Sequence, residues 1–337
     1  MAQPHISHAT SPFSIASDVT ISEAQPPTRD AAWPLSDNDA DIVLRSSESL
    51  DFRVHRWALS RASSIFTTMF SLPQPSYTSP EQTHSPHGLP IVCMSEDEPS
   101  LDLLLRFCYP RTISPEPSLE DLQDLKRALA VGRKFQIDVI VEGAKRRLIR
   151  YAEERPDAAF VLAWTHELRD VALIAARKTL RQPFLASAQA EDFVDVPGLA
   201  LFRLISYQNA CIASMQELLP VDMDVALSWI THAEILLGQN ECVCKGRDIF
   251  LIVDDVMEVR CVKDWWWAYV QRAIAALERK PHASALTSAL VYPSFLQIGQ
   301  CPGCSSDRVV EILDVTGRRL KEAMERKIND ITLETPF

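Results

Sequence analysis

The residues with the most evident chemical potential are four cysteines in the second half of the chain. Cys301-Pro-Gly-Cys304 sets two thiols on one tight turn, and Cys242-x-Cys244 supplies a second closely spaced pair. Zinc in structural sites takes four ligands in a tetrahedron, most often thiolate sulfur and imidazole nitrogen. The two pairs therefore predict one structural zinc ion in a cysteine-rich element over residues 242–304.

Two other interpretations of these cysteines stay open. Cys301 and Cys304 precede a predicted helix, whose N-terminal dipole would lower a thiol pKa and favour thiol-redox enzyme chemistry. Residues 292–300 before them lack the strand pattern that a thioredoxin-like unit needs. In the third interpretation the thiols are buried and unreactive. If zinc is bound, Cys261 or His232 is an alternative ligand to one of the four cysteines.

Catalytic motifs are missing from the rest of the sequence. It contains no glycine-rich phosphate loop, no GxSxG turn and no HExxH helix. We therefore expect a protein that is not an enzyme.

Composition excludes several classes of protein. The net charge of −11 disfavours direct binding to nucleic acid, because phosphate neutralisation needs clustered Lys and Arg. No apolar run approaches the roughly 18 residues of a membrane helix. The N-terminal segment lacks the design of a signal peptide, so the eight cysteines predict thiols or metal ligands and not disulfides. We expect an intracellular protein of the cytoplasm or nucleus.

The local patterns of residues 37–151 predict a small sheet with helices. Residues 41–47 form a β-branched run, and residues 50–55 alternate between apolar and polar after a tight turn at Glu48 and Ser49, which is typical of a β-hairpin. Ser63 is expected to cap the next helix, and residues 88–94 to form a third strand. Ser95 is expected to open a capping box for a further helix. The predicted helices after this box are 101–108, 122–129, 130–137 and 138–151.

The chain on either side of this block has different patterns. Residues 1–36 are rich in Ser, Thr and Pro and predict a disordered leader, although Leu35 could dock on the body. Residues 152–337 predict an all-α region apart from a short hairpin near 249–253. Its predicted helices are 157–168, 170–181, 190–195, 197–214, 223–237, 265–278 and 307–329.

Several residues of the hairpin and the following helix occur in a characteristic order. They are Asp41, Phe52, His55, Leu59, Ser63, Phe66, Met69 and Phe70. Together with Leu101–Tyr109 and residues 130–137, they resemble a BTB (POZ) domain. The whole chain is also similar to fungal BTB domain-containing proteins that add a helical, cysteine-bearing second half.

The resemblance implies an α+β fold and a role in protein–protein interaction. Members of the family form homodimers or heterodimers through the first strand and helix, and some recruit cullin-3 ubiquitin ligases or transcriptional co-regulators. It further implies that Asp41, Phe52, His55, Leu59, Ser63, Phe66 and Phe70 are framework residues. Because His55 ends a strand with Asp41 one hairpin away, we expect a buried hydrogen bond between their side chains. The chain is thus predicted to be a dimeric adaptor or scaffold, with a co-regulator that lacks its own DNA-binding domain as the alternative.

Overall fold

The computed structural model of the chain describes residues 28–32, 34–72, 88–183, 186, 189–194, 196–219, 227–231, 244–253, 256–299, 301, 304 and 307–337. The chain divides into two compact units, Met1–Pro115 and Glu116–Phe337. The division falls inside the predicted domain 37–151. The α+β fold class predicted from the sequence is confirmed, since a small sheet precedes a mostly helical remainder.

The first unit is built on a four-stranded sheet. Its strands are β1 (Arg29–Asp30), β2 (Ile42–Arg45), β3 (Leu50–Val54) and β4 (Ile91–Cys93), in the spatial order β1-β3-β2-β4. The β2–β3 pair is antiparallel, as predicted for the hairpin, whereas β1 and β4 join it in parallel. β1 corrects the prediction that residues 1–36 are disordered as a whole. Residues 1–27 lie outside the described part of the chain.

The turn of the hairpin is held by one serine and one ion pair. The Ser46 hydroxyl accepts hydrogen bonds from the backbone N–H groups of Glu48, at 3.3 Å, and Leu50, at 3.0 Å. Ser49 adopts a left-handed φ of 64°, which closes the short loop of residues 46–49 between the strands. Across the strands, Arg45 and Asp51 face each other in register and form a two-pronged ion pair. The short turn thus sets the register in which the buried Leu44 pairs with the buried Phe52.

Three helices complete the described part of the first unit. They are α1 (Arg56–Ala62), α2 (Ser64–Ser71) and α3 (Glu98–Cys108). Ser63 caps α2 as predicted, because its hydroxyl accepts from the Phe66 N–H. The predicted cap of α3 is wrong by two residues, since Asp97 and not Ser95 accepts from the Ser100 N–H. Residues 73–87 lie outside the described part of the chain.

The second unit consists mainly of helices. Those preceding its hairpin are α4 (Leu122–Lys134), α5 (Asp138–Tyr151), α6 (Pro156–Thr165), α7 (Arg169–Thr179) and α8 (Gly198–Gln216), with a 3₁₀ turn at Ala190–Phe193. The predicted separation of 122–129 from 130–137 is wrong, because α4 runs unbroken to Lys134. Gly132 lets α5 approach closely, since a Cβ at this position would lie 3.0 Å from the Val141 side chain.

A two-stranded hairpin interrupts the helices of the second unit. Strands β5 (Gly246–Val253) and β6 (Val256–Lys263) pair antiparallel, which extends the predicted short hairpin. Of the predicted helix 223–237, only residues 227–231 are described, and they form a β-bridge and bends, so that prediction is wrong there. The chain then continues in α9 (Asp264–Arg279), two 3₁₀ turns (Ala283–Ala285 and Ser288–Leu290), α10 (Tyr292–Ile298) and α11 (Asp307–Asp330).

Candidate functional site

Three of the predicted metal-ligand cysteines meet in the second unit. The sulfur atoms of Cys244, Cys301 and Cys304 all lie within 4.8 Å of one another. The Cys244 and Cys304 sulfurs are 3.7 Å apart. Cys301 and Cys304 are buried, and Cys244 is half-buried. The structure therefore brings together thiols from two segments that are distant in sequence, as the zinc prediction requires.

Local backbone geometry positions the two thiols of the Cys301–Cys304 turn. The Cys301 N–H donates to the Ile298 carbonyl at 2.9 Å, so the turn continues directly from α10. The Cys304 N–H donates to the Cys301 carbonyl at 3.1 Å, which closes a tight turn. Two cysteine side chains three residues apart on such a turn can point to the same side and bind the same metal ion.

Cys244 comes from the base of the β5–β6 hairpin. It lies two residues before Gly246, which pairs with Lys263 at the open end of the hairpin. The Lys245 carbonyl accepts from the Asp264 N–H at 3.0 Å, so the hairpin base is tied to the start of α9. Gly246 leaves room for Cys261, because a Cβ on Gly246 would lie 2.6 Å from the Cys261 sulfur.

The remaining predicted ligands differ in their placement. Cys261 is exposed on β6, and it is not a member of the group formed by the three clustered thiols. Cys242 and His232 lie outside the described residues. The redox interpretation uses Cys301 and Cys304 as a pair. In the structure these two thiols belong to a group of three that includes Cys244.

Two cysteines outside the group are affected by burial. Burial raises the pKa of Cys108 to about 12 and that of Cys211 to about 11. Thiols with such pKa values hold almost no thiolate at neutral pH, and the thiolate is the nucleophile and the metal ligand. Cys108 and Cys211 are therefore suitable controls for the clustered cysteines.

His55 forms a polar network in the first unit, but not the predicted one. Its Nδ1 lies 3.0 Å from the Tyr109 hydroxyl, and its Nε2 lies 3.2 Å from Asp39 Oδ1. The expected hydrogen bond to Asp41 is wrong, because the Asp41 carboxylate accepts from the backbone N–H of Arg56 at 2.8 Å. Asp41 thereby caps α1, which leaves His55 free to reach the other two partners.

Charges around this network favour one arrangement of protons. Burial raises the pKa of Tyr109 to about 12, so its hydroxyl keeps its proton beside His55 Nδ1. The His55 backbone N–H in turn donates to the tyrosine oxygen at 2.9 Å. Hydrogen bonding with Asp37 and with His55 holds the pKa of Asp39 below its usual value, and an ionised Asp39 accepts from the imidazole Nε2–H. The network joins the end of β3 to the C-terminal end of α3.

The other residues of the resemblance occupy the surroundings of this network. Phe52, Leu59, Ser63 and Phe66 are buried, whereas Phe70 is half-buried and Asp41 is exposed. The Phe66 and Phe70 rings stack with their centroids 5.8 Å apart, and the Arg56 guanidinium lies over Phe70. The Arg56–Phe70 contact thereby packs α1 against α2.

A comparison with protein-family models identifies the domain that contains this network. The model of the BTB/POZ domain matches residues 34–151. The chain carries a BTB domain. Comparison with curated proteins finds no match. Because BTB domains are protein-interaction modules, a role of this chain in protein–protein interaction follows from the match.

The surface of the BTB domain bears large apolar side chains. The most exposed are Trp57 on α1, at 57%, and Leu72 directly after α2, at 58%. Val139, at the start of α5, is 51% exposed. Sequence reasoning did not identify Trp57, because α1 was not predicted and its solvent-facing side was therefore unknown. Among the helices that the structure describes, none has the length and apolarity to cross a membrane.

Proposed function

We propose that the chain is an adaptor that dimerises through its BTB domain and recruits protein partners. The exposed Trp57 side chain on α1 is the observation that carries this proposal. A solvent-facing tryptophan is unfavourable in an isolated domain, and tryptophan is enriched among the residues that contribute most to protein interfaces. Its helix directly follows β3, in the part of the fold through which BTB relatives dimerise.

Leu72 gives the proposed interface a second apolar residue. It follows the C-terminal end of α2, which packs against the N-terminal part of α1 through the Arg56–Phe70 contact. Both apolar side chains thus belong to the α1–α2 layer. A second copy of the chain that covered this layer would remove both from water.

Light scattering coupled to size-exclusion chromatography tests dimerisation. The full chain should elute with twice the mass of one chain at micromolar concentration. Trp57→Glu should shift it to a monomer, because the substitution places a charge in the centre of the interface. Phe202→Glu is the matched control, since Phe202 is 60% exposed on α8, outside the BTB match.

Two results would overturn the proposed dimer. One is a strictly monomeric wild-type chain. The other is a dimer that survives Trp57→Glu and dissociates in Phe202→Glu, because the interface would then lie on the C-terminal helices. Circular dichroism of both variants separates loss of dimer from loss of fold.

The class of partner is tested separately from the dimer. In the adaptor proposal, immobilised full chain retains purified cullin-3. In the alternative, a transcriptional co-regulator, the chain retains co-repressor or co-activator proteins and no cullin. The net charge of −11 is compatible with the alternative only if a bound factor supplies the contact with DNA.

A further inference from the structure

We propose that Cys244, Cys301 and Cys304 bind one zinc ion, which fastens the base of the β5–β6 hairpin to the turn between α10 and α11. This site does not depend on the proposed dimer, because all three ligands lie in the second unit. The zinc would act as a cross-link in the fold and not as a catalyst.

The spacing of the sulfur atoms fits tetrahedral zinc. With Zn–S bonds of about 2.3 Å, two thiolates on one tetrahedral zinc lie about 3.8 Å apart. The Cys244 and Cys304 sulfurs are 3.7 Å apart, and all three sulfurs lie within 4.8 Å of one another. A disulfide would place two of them at about 2.05 Å.

A buried lysine next to the thiols is a second, independent observation. Lys263 is 8% exposed, and its ammonium group donates to the Cys244 carbonyl at 3.4 Å. Within the described part of the chain, no carboxylate lies within ion-pair distance of Lys263. Zinc with three or four thiolates carries a net negative charge, which an ammonium group this close to Cys244 would stabilise.

The chemical nature of the ligands selects the metal. A set of thiolates favours zinc, copper(I) or iron–sulfur clusters over magnesium and calcium, which prefer oxygen. Binding requires that each thiol release its proton, and no electron is transferred. Structural zinc takes four ligands, and the sequence predicts Cys242 for the fourth position, with Cys261 as its alternative.

Metal analysis of the full chain is the first test. Protein purified without chelator should contain about one zinc per chain, and Cys304→Ser and Cys244→Ser should each reduce this several-fold. Cys108→Ser is the matched control, because Cys108 is half-buried and lies outside the group, so this variant should keep its zinc. Cys242→Ser and Cys261→Ser identify the fourth ligand, since only one of them should lower the affinity.

Cobalt substitution gives a readout that does not require folded variants. Wild-type chain stripped with a chelator and loaded with cobalt(II) should show thiolate-to-cobalt charge transfer and the intense visible bands of tetrahedral coordination. Adding zinc should abolish both. Reduced, metal-free protein that takes up neither ion would overturn the proposal. So would a Cys244–Cys304 disulfide found by mass spectrometry in protein purified with its thiols protected.

Discussion

The sulfur atoms of Cys244 and Cys304 lie 3.7 Å apart although 60 positions separate them in the sequence. A bond or metal ion that joins such distant positions restricts the unfolded chain strongly, because the loop that it closes is long. The α9 and α10 helices lie within this loop. Local distortion at either end should therefore affect the stability of the whole second unit.

Gly246→Ala should destabilise the second unit. An alanine Cβ would lie 3.0 Å from the Val262 backbone carbonyl, which cannot move aside without disrupting the hairpin, and 2.6 Å from the Cys261 sulfur. We expect a loss of about 1–3 kcal/mol in the free energy of unfolding, measured by urea denaturation. The zinc content should also fall, since Cys244 lies two residues away.

Gly198→Ala is the control for this substitution. A Cβ on Gly198 meets nothing within 4 Å, so the variant should be as stable as wild type or slightly more stable. Equal effects of the two substitutions would mean that the open end of the hairpin tolerates side chains.

Sequence reasoning predicted the parts of the fold that depend on local pattern. The β2–β3 hairpin follows from a β-branched run and an alternating run joined by a tight turn, and Ser63 was recognised because its hydroxyl caps the helix that it precedes. α11 was predicted in spite of Gly317. The structure supplies the reason for that glycine, because a Cβ there would lie 2.9 Å from the Tyr269 hydroxyl.

The wrong or missing predictions concern elements that are held by residues distant in the sequence, which leave no local pattern. α1 was missed because its N-cap, His55, contributes no side-chain hydrogen bond, and Asp41, 15 positions away, accepts from the Arg56 N–H instead. Because the Asp41 carboxylate accepts from the Arg56 N–H, it does not form the predicted hydrogen bond with His55. In the cysteine site, the spacing of Cys301 and Cys304 was informative. The approach of Cys244 depends on the hairpin and could be proposed only from its thiol chemistry.

Thr316→Val should destabilise the packing of α9 against α11. The Trp266 indole N–H donates to the Thr316 hydroxyl at 2.8 Å, and both side chains are fully buried. Valine keeps the shape of threonine but leaves the indole N–H without an acceptor, which costs about 1–3 kcal/mol. Thr316→Ser keeps the hydroxyl and should lose only about 1 kcal/mol, for one methyl group. Calorimetric melting compares the two, and a valine variant as stable as wild type would contradict the role of this bond.

Asp51→Asn should weaken the sheet of the BTB domain. Arg45 reaches both oxygens of Asp51, at 2.6 and 2.8 Å, and the Asp51 side chain is only 4% exposed. Removing the negative charge leaves the guanidinium partly buried beside a neutral amide, and we expect a loss of about 2 kcal/mol. The control is Asp314→Asn, which breaks an exposed pair with Arg318 and should cost under about 0.5 kcal/mol. Denaturant titration should therefore separate the two variants clearly.

His166 should make stability depend on pH in the acidic range. Burial, helped by the positive charge of Arg133, lowers the pKa of His166 from 6.5 to about 4. Between these values the unfolded chain binds a proton that the folded chain does not, so the free energy of unfolding falls as pH falls from 6.5 toward 4. Because the ring is only half-buried, we expect His166 to contribute roughly 1 kcal/mol to this loss. His166→Gln should remove that part of the slope and leave the stability above pH 7 nearly unchanged, as measured by urea denaturation at each pH. An identical slope in wild type and variant would show that His166 titrates alike in both states.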